Sequence, residues 1–80
     1  MTADSLARIF RRILDLSDVD TNADFFDLGG DSLLATRVLS AVHREFGVEL
    51  TFDEFFLAPT PALLAALVDD AIEADERVPR

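Results

Sequence analysis

Ser32 is the residue in this chain with the clearest potential for chemistry, because it follows two glycines and an aspartate and opens a helical pattern. A serine at a helix start often only caps the helix, by accepting a hydrogen bond from a first-turn N–H. Gly29 and Gly30, however, remove side chains just upstream, so that another protein's active site can approach the hydroxyl. A phosphate esterified there would lie at a helix N-terminus, where unpaired N–H groups favour an anion. The stretch therefore predicts a covalent attachment point at Ser32.

Leu33 and Leu34 follow the serine as consecutive apolar residues in the first turn of the predicted helix. They cannot both face the core, so one of them is expected to be exposed beside Ser32. An exposed leucine at this position favours the docking of another protein.

A hydrolytic use of Ser32 is not supported. The only histidine, His43, lies eleven residues later on the same predicted helix, which corresponds to about 16 Å along the helix axis. The second glycine of a nucleophile elbow is missing after Ser32, and the chain has neither lysine nor cysteine to act instead. No catalytic residues are therefore predicted.

The acidic stretch before the glycines invites comparison with a calcium-binding EF-hand loop. Positions 1, 3, 5 and 7 of that loop would be Asp18, Asp20, Asn22 and Asp24. Position 6 would then be Ala23, where the sharp turn needs glycine, and position 12 would be Gly29, where calcium needs a bidentate glutamate. No metal site is predicted, and the acids are interpreted as a solvated loop.

The overall charge restricts the partners. Sixteen acids against seven arginines give a formal net charge of −9, which argues against nucleic acid. No apolar run approaches the roughly 20 residues of a membrane span, and no secretory signal is visible, so a cytoplasmic location is expected. The chain is also expected to be a monomer.

Apolar residues recur at helical spacing in three stretches of the chain. Gly47 is placed to end the second helix, Thr51 and Glu54 have capping-box spacing, and Thr60 before Pro61 marks another helix start. We predict an all-α fold, a small four-helix bundle with helices at about 4–15, 32–46 and 61–74, a short helix at about 52–57, and a long acidic loop over 16–31. Phe25, Phe26 and Leu28 are expected to anchor this loop. The predicted core contains Ile9, Phe10, Ile13, Phe26, Leu28, Val38, Val42, Phe46, Phe55, Leu64 and Val68.

The run Asp24-Phe25-Phe26-Asp27-Leu28-Gly29-Gly30-Asp31-Ser32-Leu33-Leu34-Ala35 closely resembles the core motif of peptidyl carrier proteins. These proteins are also called thiolation domains and belong to nonribosomal peptide synthetases, within the phosphopantetheine-binding acyl carrier superfamily. The runs Phe46-Gly47-Val48-Glu49-Leu50 and Ala58-Pro59-Thr60 resemble later landmarks of the same family.

The resemblance implies that a phosphopantetheinyl transferase attaches 4′-phosphopantetheine from coenzyme A to Ser32. The thiol of this arm then holds an aminoacyl or aryl group as a thioester, which fits a chain without cysteine. The carrier itself would be non-catalytic, and its partners would be adenylation, condensation, thioesterase and tailoring enzymes. The carried group cannot be read from the carrier's sequence, because the adenylating partner selects it.

The resemblance also implies a recognition surface around the serine. Its motif glycines are Gly29 and Gly30, its docking positions match Asp31, Leu33, Leu34 and Arg37, and Phe56 and Leu57 in the short helix are further candidates. The carrier domain is expected to span residues 1–76, followed by a disordered tail over 77–80. The start at Met1 suggests a free-standing carrier, and an excised domain with an added methionine is the alternative.

Two other functions remain open. Acyl carrier proteins of polyketide or fatty-acid synthesis share the Asp-Ser-Leu core, but they commonly have a single glycine and acids along the second helix. This chain has Gly29-Gly30 and carries Arg37 and Arg44 on that helix, which favours the peptidyl type. An unmodified helical adaptor, binding a partner only through its exposed leucines, belongs to a different class.

Overall fold

The computed structural model describes the backbone of residues 2–77 and the side chains of residues 2–74. This part of the chain folds into four helices, α1 (Thr2–Leu14), α2 (Ser32–Phe46), α3 (Phe52–Leu57) and α4 (Pro61–Arg77), and contains no strand. The all-α prediction is confirmed, and α2 and α3 have the predicted bounds. Helix α4 ends at Arg77, later than the predicted end at about residue 74. Residues 78–80 of the tail lie outside the described residues, and the domain span of 1–76 stays a prediction.

Helix α1 begins and ends slightly earlier than its apolar stripe predicts. Its start at Thr2 is tied to α4, because the Thr2 hydroxyl donates a hydrogen bond of 2.9 Å to the Asp69 carboxylate. At its end, Asp15 adopts a left-handed conformation with φ of 56°, and the Leu16 N–H donates to the Arg11 carbonyl at 2.9 Å. This is the hydrogen-bond pattern of a Schellman cap, which terminates the helix at Leu14 without a glycine.

The end of α2 and the starts of α3 and α4 lie at the residues that the sequence predicts. Gly47 closes α2 in a left-handed conformation with φ of 69°. At α3, the Glu54 N–H donates to the Thr51 hydroxyl at 3.1 Å, and the Thr51 N–H donates to the Glu54 carboxylate at 2.8 Å, which is a complete capping box. The Thr60 hydroxyl caps α4 by accepting from the Leu63 N–H at 3.1 Å.

The hydrophobic core lies between α1, α2 and α4, and three phenylalanine rings fill its centre. The ring centroids of Phe10 and Phe25 are 5.0 Å apart, and those of Phe25 and Phe55 are 5.1 Å apart. Seven of the predicted core residues are buried, namely Ile9, Phe10, Val38, Val42, Phe55, Leu64 and Val68, and the other four, Ile13, Phe26, Leu28 and Phe46, are partly buried against them. Phe25, rather than Phe26, supplies the buried ring of the loop.

The loop between α1 and α2 is held to the rest of the fold by backbone hydrogen bonds. The Phe25 N–H donates to the Pro59 carbonyl at 2.8 Å, and the Ala62 N–H donates to the Thr21 carbonyl at 2.9 Å. Both bonds join the loop to the region where α4 begins. The long loop is therefore an ordered connection that fixes the position of the residues leading to Ser32.

Candidate functional site

The start of α2 is capped by Asp31 and not by Ser32. Asp31 has extended backbone angles, and its carboxylate accepts a hydrogen bond of 2.9 Å from the Leu34 N–H. Its carbonyl accepts the first helical bond, from the Ala35 N–H at 2.8 Å. Ser32 is the first helical residue and is exposed. The alternative explanation, that Ser32 is present only as the cap of α2, is therefore not supported, and the Ser32 hydroxyl is not committed to that role.

The turn that leads to Ser32 is organised by the Asp24 side chain. Its carboxylate accepts from the Phe26 N–H at 2.8 Å and from the Asp27 N–H at 3.3 Å, and its carbonyl accepts from the Leu28 N–H at 3.1 Å. Asp20 makes a similar local bond, accepting from the Asn22 N–H at 2.8 Å. These aspartates hydrogen-bond to backbone N–H groups of the loop, which is how Asx turns are stabilised.

The two motif glycines serve different structural needs. Gly29 has φ of 104°, a conformation that side-chain-bearing residues rarely adopt, while the space around its missing Cβ is open. At Gly30 a Cβ would overlap the Phe25 ring and lie 2.8 Å from the Phe25 carbonyl oxygen. Gly30 is thus required by packing inside this chain. Access for another protein is therefore not needed to account for a glycine at position 30, whereas the open space around Gly29 is compatible with such access.

The two leucines after Ser32 divide between surface and core, as the sequence predicts. Leu33 is 67 % exposed, whereas Leu34 is half-buried against the core. Arg37 is exposed, and it lines the same groove as Leu33 one turn along the helix. Asp31, Ser32, Leu33 and Arg37 therefore present exposed side chains over the first part of α2, while Leu34 anchors that part to the core.

Helix α3 carries a second exposed apolar surface. Phe56 and Leu57 are 61 % and 82 % exposed. The Phe56 ring lies 5.7 Å from the ring of Phe26, in the turn that leads to Ser32, and stacks at 6.4 Å on the ring of Phe52. Sequence reasoning missed Phe52, although its spacing of four residues from Phe56 places both rings on one face of α3.

His43 lies near the other end of α2 from Ser32. Its Nε2 atom is 3.9 Å from a carboxylate oxygen of Glu49, and both side chains are exposed. Among the residues that the structure describes, no group of three or more His, Asp or Glu side chains is arranged to hold a metal ion. No helix within the described part of the chain is both long enough and apolar enough to cross a membrane.

The family model described as a phosphopantetheine attachment site matches residues 4–68 of this chain. The match covers α1, the acidic loop, α2 and α3, and most of α4. The chain belongs to the phosphopantetheine-binding carrier family. The resemblance that its sequence shows to this superfamily is thereby confirmed.

A solved structure of similar fold shows which type of carrier this chain resembles. The chain is 37 % identical to a structure of the phosphopantetheine transferase Sfp in complex with coenzyme A and a peptidyl carrier protein, with a TM-score of 0.85. The alignment covers 88 % of this chain and 91 % of that one. The predicted resemblance to peptidyl carrier proteins is confirmed by this likeness.

Curated relatives of the carrier include much longer synthases. Chondramide synthase cmdD of Chondromyces crocatus is 39 % identical over 71 residues, which cover 89 % of this chain and 2 % of the synthase. One chain of the phenolphthiocerol/phthiocerol polyketide synthase of Mycobacterium tuberculosis is 46 % identical over 65 residues, which cover 81 % of the carrier and 4 % of the synthase chain. The carrier thus spans only a few per cent of the length of these relatives.

Proposed function

We propose that Ser32 is the residue to which 4′-phosphopantetheine is esterified, and that the chain is a non-catalytic carrier in nonribosomal peptide synthesis. The observation that supports this most directly is that the cap of α2 and the exposed serine are two different residues. Asp31 caps the helix, so Ser32 is left exposed at the end of an ordered turn. A hydroxyl in this position is open to a modifying enzyme.

The residues around Ser32 fit a phosphodiester. The N–H groups of Ser32 and Leu33 lie in the first turn, where no helical carbonyl can accept from them. Together with the positive end of the helix dipole, they favour a negative group on the serine oxygen. Gly29 and Gly30 add no side chains beside it. When attached, the group supplies the thiol on which an acyl group is carried as a thioester.

The same geometry supports a carrier without catalysis of its own. His43 and Ser32 are separated by eleven residues of α2, or about 16 Å along the axis. That distance is far beyond hydrogen-bond reach, so His43 cannot activate the Ser32 hydroxyl. We therefore propose that a phosphopantetheinyl transferase modifies Ser32, and that adenylation, condensation, thioesterase and tailoring enzymes act on the carried group. The cytoplasmic location stays a prediction.

Intact-mass spectrometry tests the attachment directly. The purified chain is incubated with coenzyme A, magnesium and a phosphopantetheinyl transferase of broad specificity. The wild-type chain is expected to gain one phosphopantetheine unit, and Ser32→Ala is expected to gain none. Ser17→Ala, which removes an exposed hydroxyl of the loop before α2, serves as the matched control and is expected to be modified. An unchanged wild-type mass would support the unmodified adaptor instead.

The type of carried group is a separate question. An aminoacyl or aryl group is favoured by the Gly29-Gly30 pair and by the basic residues Arg37 and Arg44 on α2. A polyketide acyl group is the second candidate, because one relative is part of a polyketide synthase and is 46 % identical over 65 residues. Loading of the modified chain by aminoacyl-adenylating enzymes, compared with malonyl or acyl transferases, distinguishes the two candidates.

A further inference from the structure

The arginines of this chain are concentrated on two helices. Among the side chains that the structure describes, every arginine belongs to α1 or α2: Arg8, Arg11, Arg12, Arg37 and Arg44. The described charged side chains of α3 and α4 are all acidic: Asp53, Glu54, Asp69, Asp70 and Glu73. A chain with a formal net charge of −9 thus has a local basic surface.

Three of these arginines line one groove between α1 and α2, which we call the α1–α2 groove. It has a volume of 280 Å³ and is lined by Arg12, Ile13, Leu33, Thr36, Arg37, Ser40, Ala41 and Arg44. Arg37 and Arg44 are seven residues apart, or two helical turns, so they lie on the same side of α2 about 10 Å apart along its axis. Leu33 is the residue after Ser32, so the groove begins directly beside the proposed attachment site.

The positive charges of the groove are largely available to a partner. The ion pairs within the described residues join Arg12 to Glu45, at 3.5 Å, and His43 to Glu49, at 3.9 Å. Arg37 and Arg44 therefore have no carboxylate partner among the described side chains. The Arg12–Glu45 pair is long and solvent-exposed, and pairs of this kind contribute little to stability. A carboxylate of another protein can replace Glu45 at small cost.

We infer that the α1–α2 groove binds an acidic, leucine-containing segment of a partner enzyme while that enzyme works at Ser32. Arginine guanidinium groups bind carboxylates with two parallel hydrogen bonds, which favours aspartate or glutamate in the segment. The 67 % exposed Leu33 offers an apolar contact at the end of the groove nearest Ser32, and protein interfaces commonly combine apolar contacts with polar ones. This inference rests on the proposed function, because an enzyme has a reason to work beside Ser32 only if Ser32 is the attachment site.

Other occupants fit the charges less well. Nucleic acid and anionic lipid surfaces are extended polyanions, and a net charge of −9 opposes their approach. A second copy of this chain is opposed by the same net charge. A partner segment of limited size can reach the three arginines without facing the rest of this surface.

The test uses two synthetic helical peptides that present leucine and acidic residues on one face, with glutamine replacing every glutamate in the second peptide. Backbone amide shifts of the isotope-labelled full chain are followed by NMR as each peptide is added. The acidic peptide is expected to shift the amides of Arg12, Leu33, Arg37 and Arg44, and the glutamine peptide is expected to bind much more weakly. Equal binding of both peptides, or shifts confined to α3, would overturn the inference.

Two charge-matched double variants sharpen the result. R37Q/R44Q removes two arginines of the groove, and R8Q/R11Q removes two arginines that line a different cavity on α1. R37Q/R44Q is expected to weaken binding of the acidic peptide roughly tenfold, whereas R8Q/R11Q leaves it nearly unchanged. Equal weakening by both variants would mean that only net charge matters, which contradicts the inference. Circular dichroism checks that both variants remain folded.

Two further measurements separate the alternatives. Groove amide shifts that depend on the concentration of the chain alone would mean that a second copy occupies the groove, which overturns the inference. Failure of the wild-type chain to gain phosphopantetheine would overturn the proposed function itself. Normal modification together with no preference for the acidic peptide would overturn only the groove assignment.

Discussion

The ring of Phe25 occupies the space that a side chain at position 30 would need, so Gly30 and Phe25 are complementary. A Cβ at Gly30 would overlap this ring, and the Gly30 N–H donates a hydrogen bond of 3.0 Å to the Phe25 carbonyl. Phe25 is fully buried and contacts the rings of Phe10 and Phe55. Gly30, two positions before Ser32, therefore contacts a residue at the centre of the core directly.

Gly30→Ala is expected to destabilise the chain, because the added methyl group must displace the buried Phe25 ring. Overpacking of this kind typically costs about 1–3 kcal/mol, which urea unfolding of the unmodified chain measures. Gly29→Ala is the comparison for backbone strain alone, since its Cβ enters open space and only the positive φ is unfavourable, at about 1–3 kcal/mol. A loss at position 30 of less than about 1 kcal/mol would contradict the packing argument.

Asp31→Ala and Ser32→Ala are expected to affect stability very differently. Asp31 accepts the hydrogen bond from the Leu34 N–H, and loss of an N-cap typically costs about 1 kcal/mol. Ser32 is the first helical residue and does not cap α2, so Ser32→Ala is expected to change the free energy of unfolding by less than about 0.5 kcal/mol. Thermal or urea unfolding of both variants measures the difference, and Asp31→Asn is expected to keep most of the cap. A larger loss in Ser32→Ala than in Asp31→Ala would restore the serine as the cap.

Local signals in the sequence predicted most of the fold. The capping box of Thr51 and Glu54 and the left-handed Gly47 depend on residues within one or two turns, so α2 and α3 were predicted with their observed bounds. The choice between Phe25 and Phe26 could not be made in this way, because the loop has no periodicity to assign an inner face. The packing need for Gly30 depends on where the Phe25 ring lies, and that position follows from the tertiary fold.

Some features of the site could be predicted from the sequence, and others depend on the tertiary structure. The position of Ser32 at a helix start and the exposure of one leucine followed from spacing alone. That Asp31, and not Ser32, caps α2 depends on which side chain reaches the Leu34 N–H, and both residue types are good caps. The α1–α2 groove unites Arg12 with Arg37 and Arg44 only once α1 packs against α2, so no local pattern could reveal it.

Leu33→Ala is expected to slow modification of Ser32 while leaving stability nearly unchanged. Leu33 is 67 % exposed, so its truncation creates no core cavity but removes an apolar contact beside the serine. We expect a decrease of roughly tenfold in kcat/KM for the phosphopantetheinyl transferase. Leu34→Ala is the matched comparison, because Leu34 packs partly against the core and its truncation is expected to lower the unfolding free energy. Unchanged modification of Leu33→Ala would remove Leu33 from the recognition surface.

Phe55→Ala and Phe56→Ala compare neighbouring residues of α3 that face opposite environments. Phe55 is fully buried, so its truncation is expected to cost about 3–5 kcal/mol. Phe56 is 61 % exposed, so its truncation is expected to cost much less while slowing transfer of the carried group to a condensation or tailoring enzyme. Urea unfolding and single-turnover transfer kinetics measure the two effects. Transfer from Phe56→Ala at the wild-type rate would exclude Phe56 from the docking surface.

Raised salt is expected to slow modification of Ser32, because the loop before it is acidic and exposed. Asp18, Asp20 and Asp27 have exposed side chains, and basic groups on a partner would be attracted to them. Such attraction is screened over about 8 Å at physiological ionic strength and over about 3 Å at 1 M salt. The modification rate is therefore measured over a series of salt concentrations with the transferase below saturation.

Asp27→Asn is expected to lower both the rate and its dependence on salt, whereas Asp70→Asn, an equal charge change on α4, is expected to change neither. A rate that is indifferent to ionic strength, or equal effects of the two variants, would show that the loop acids do not guide this encounter.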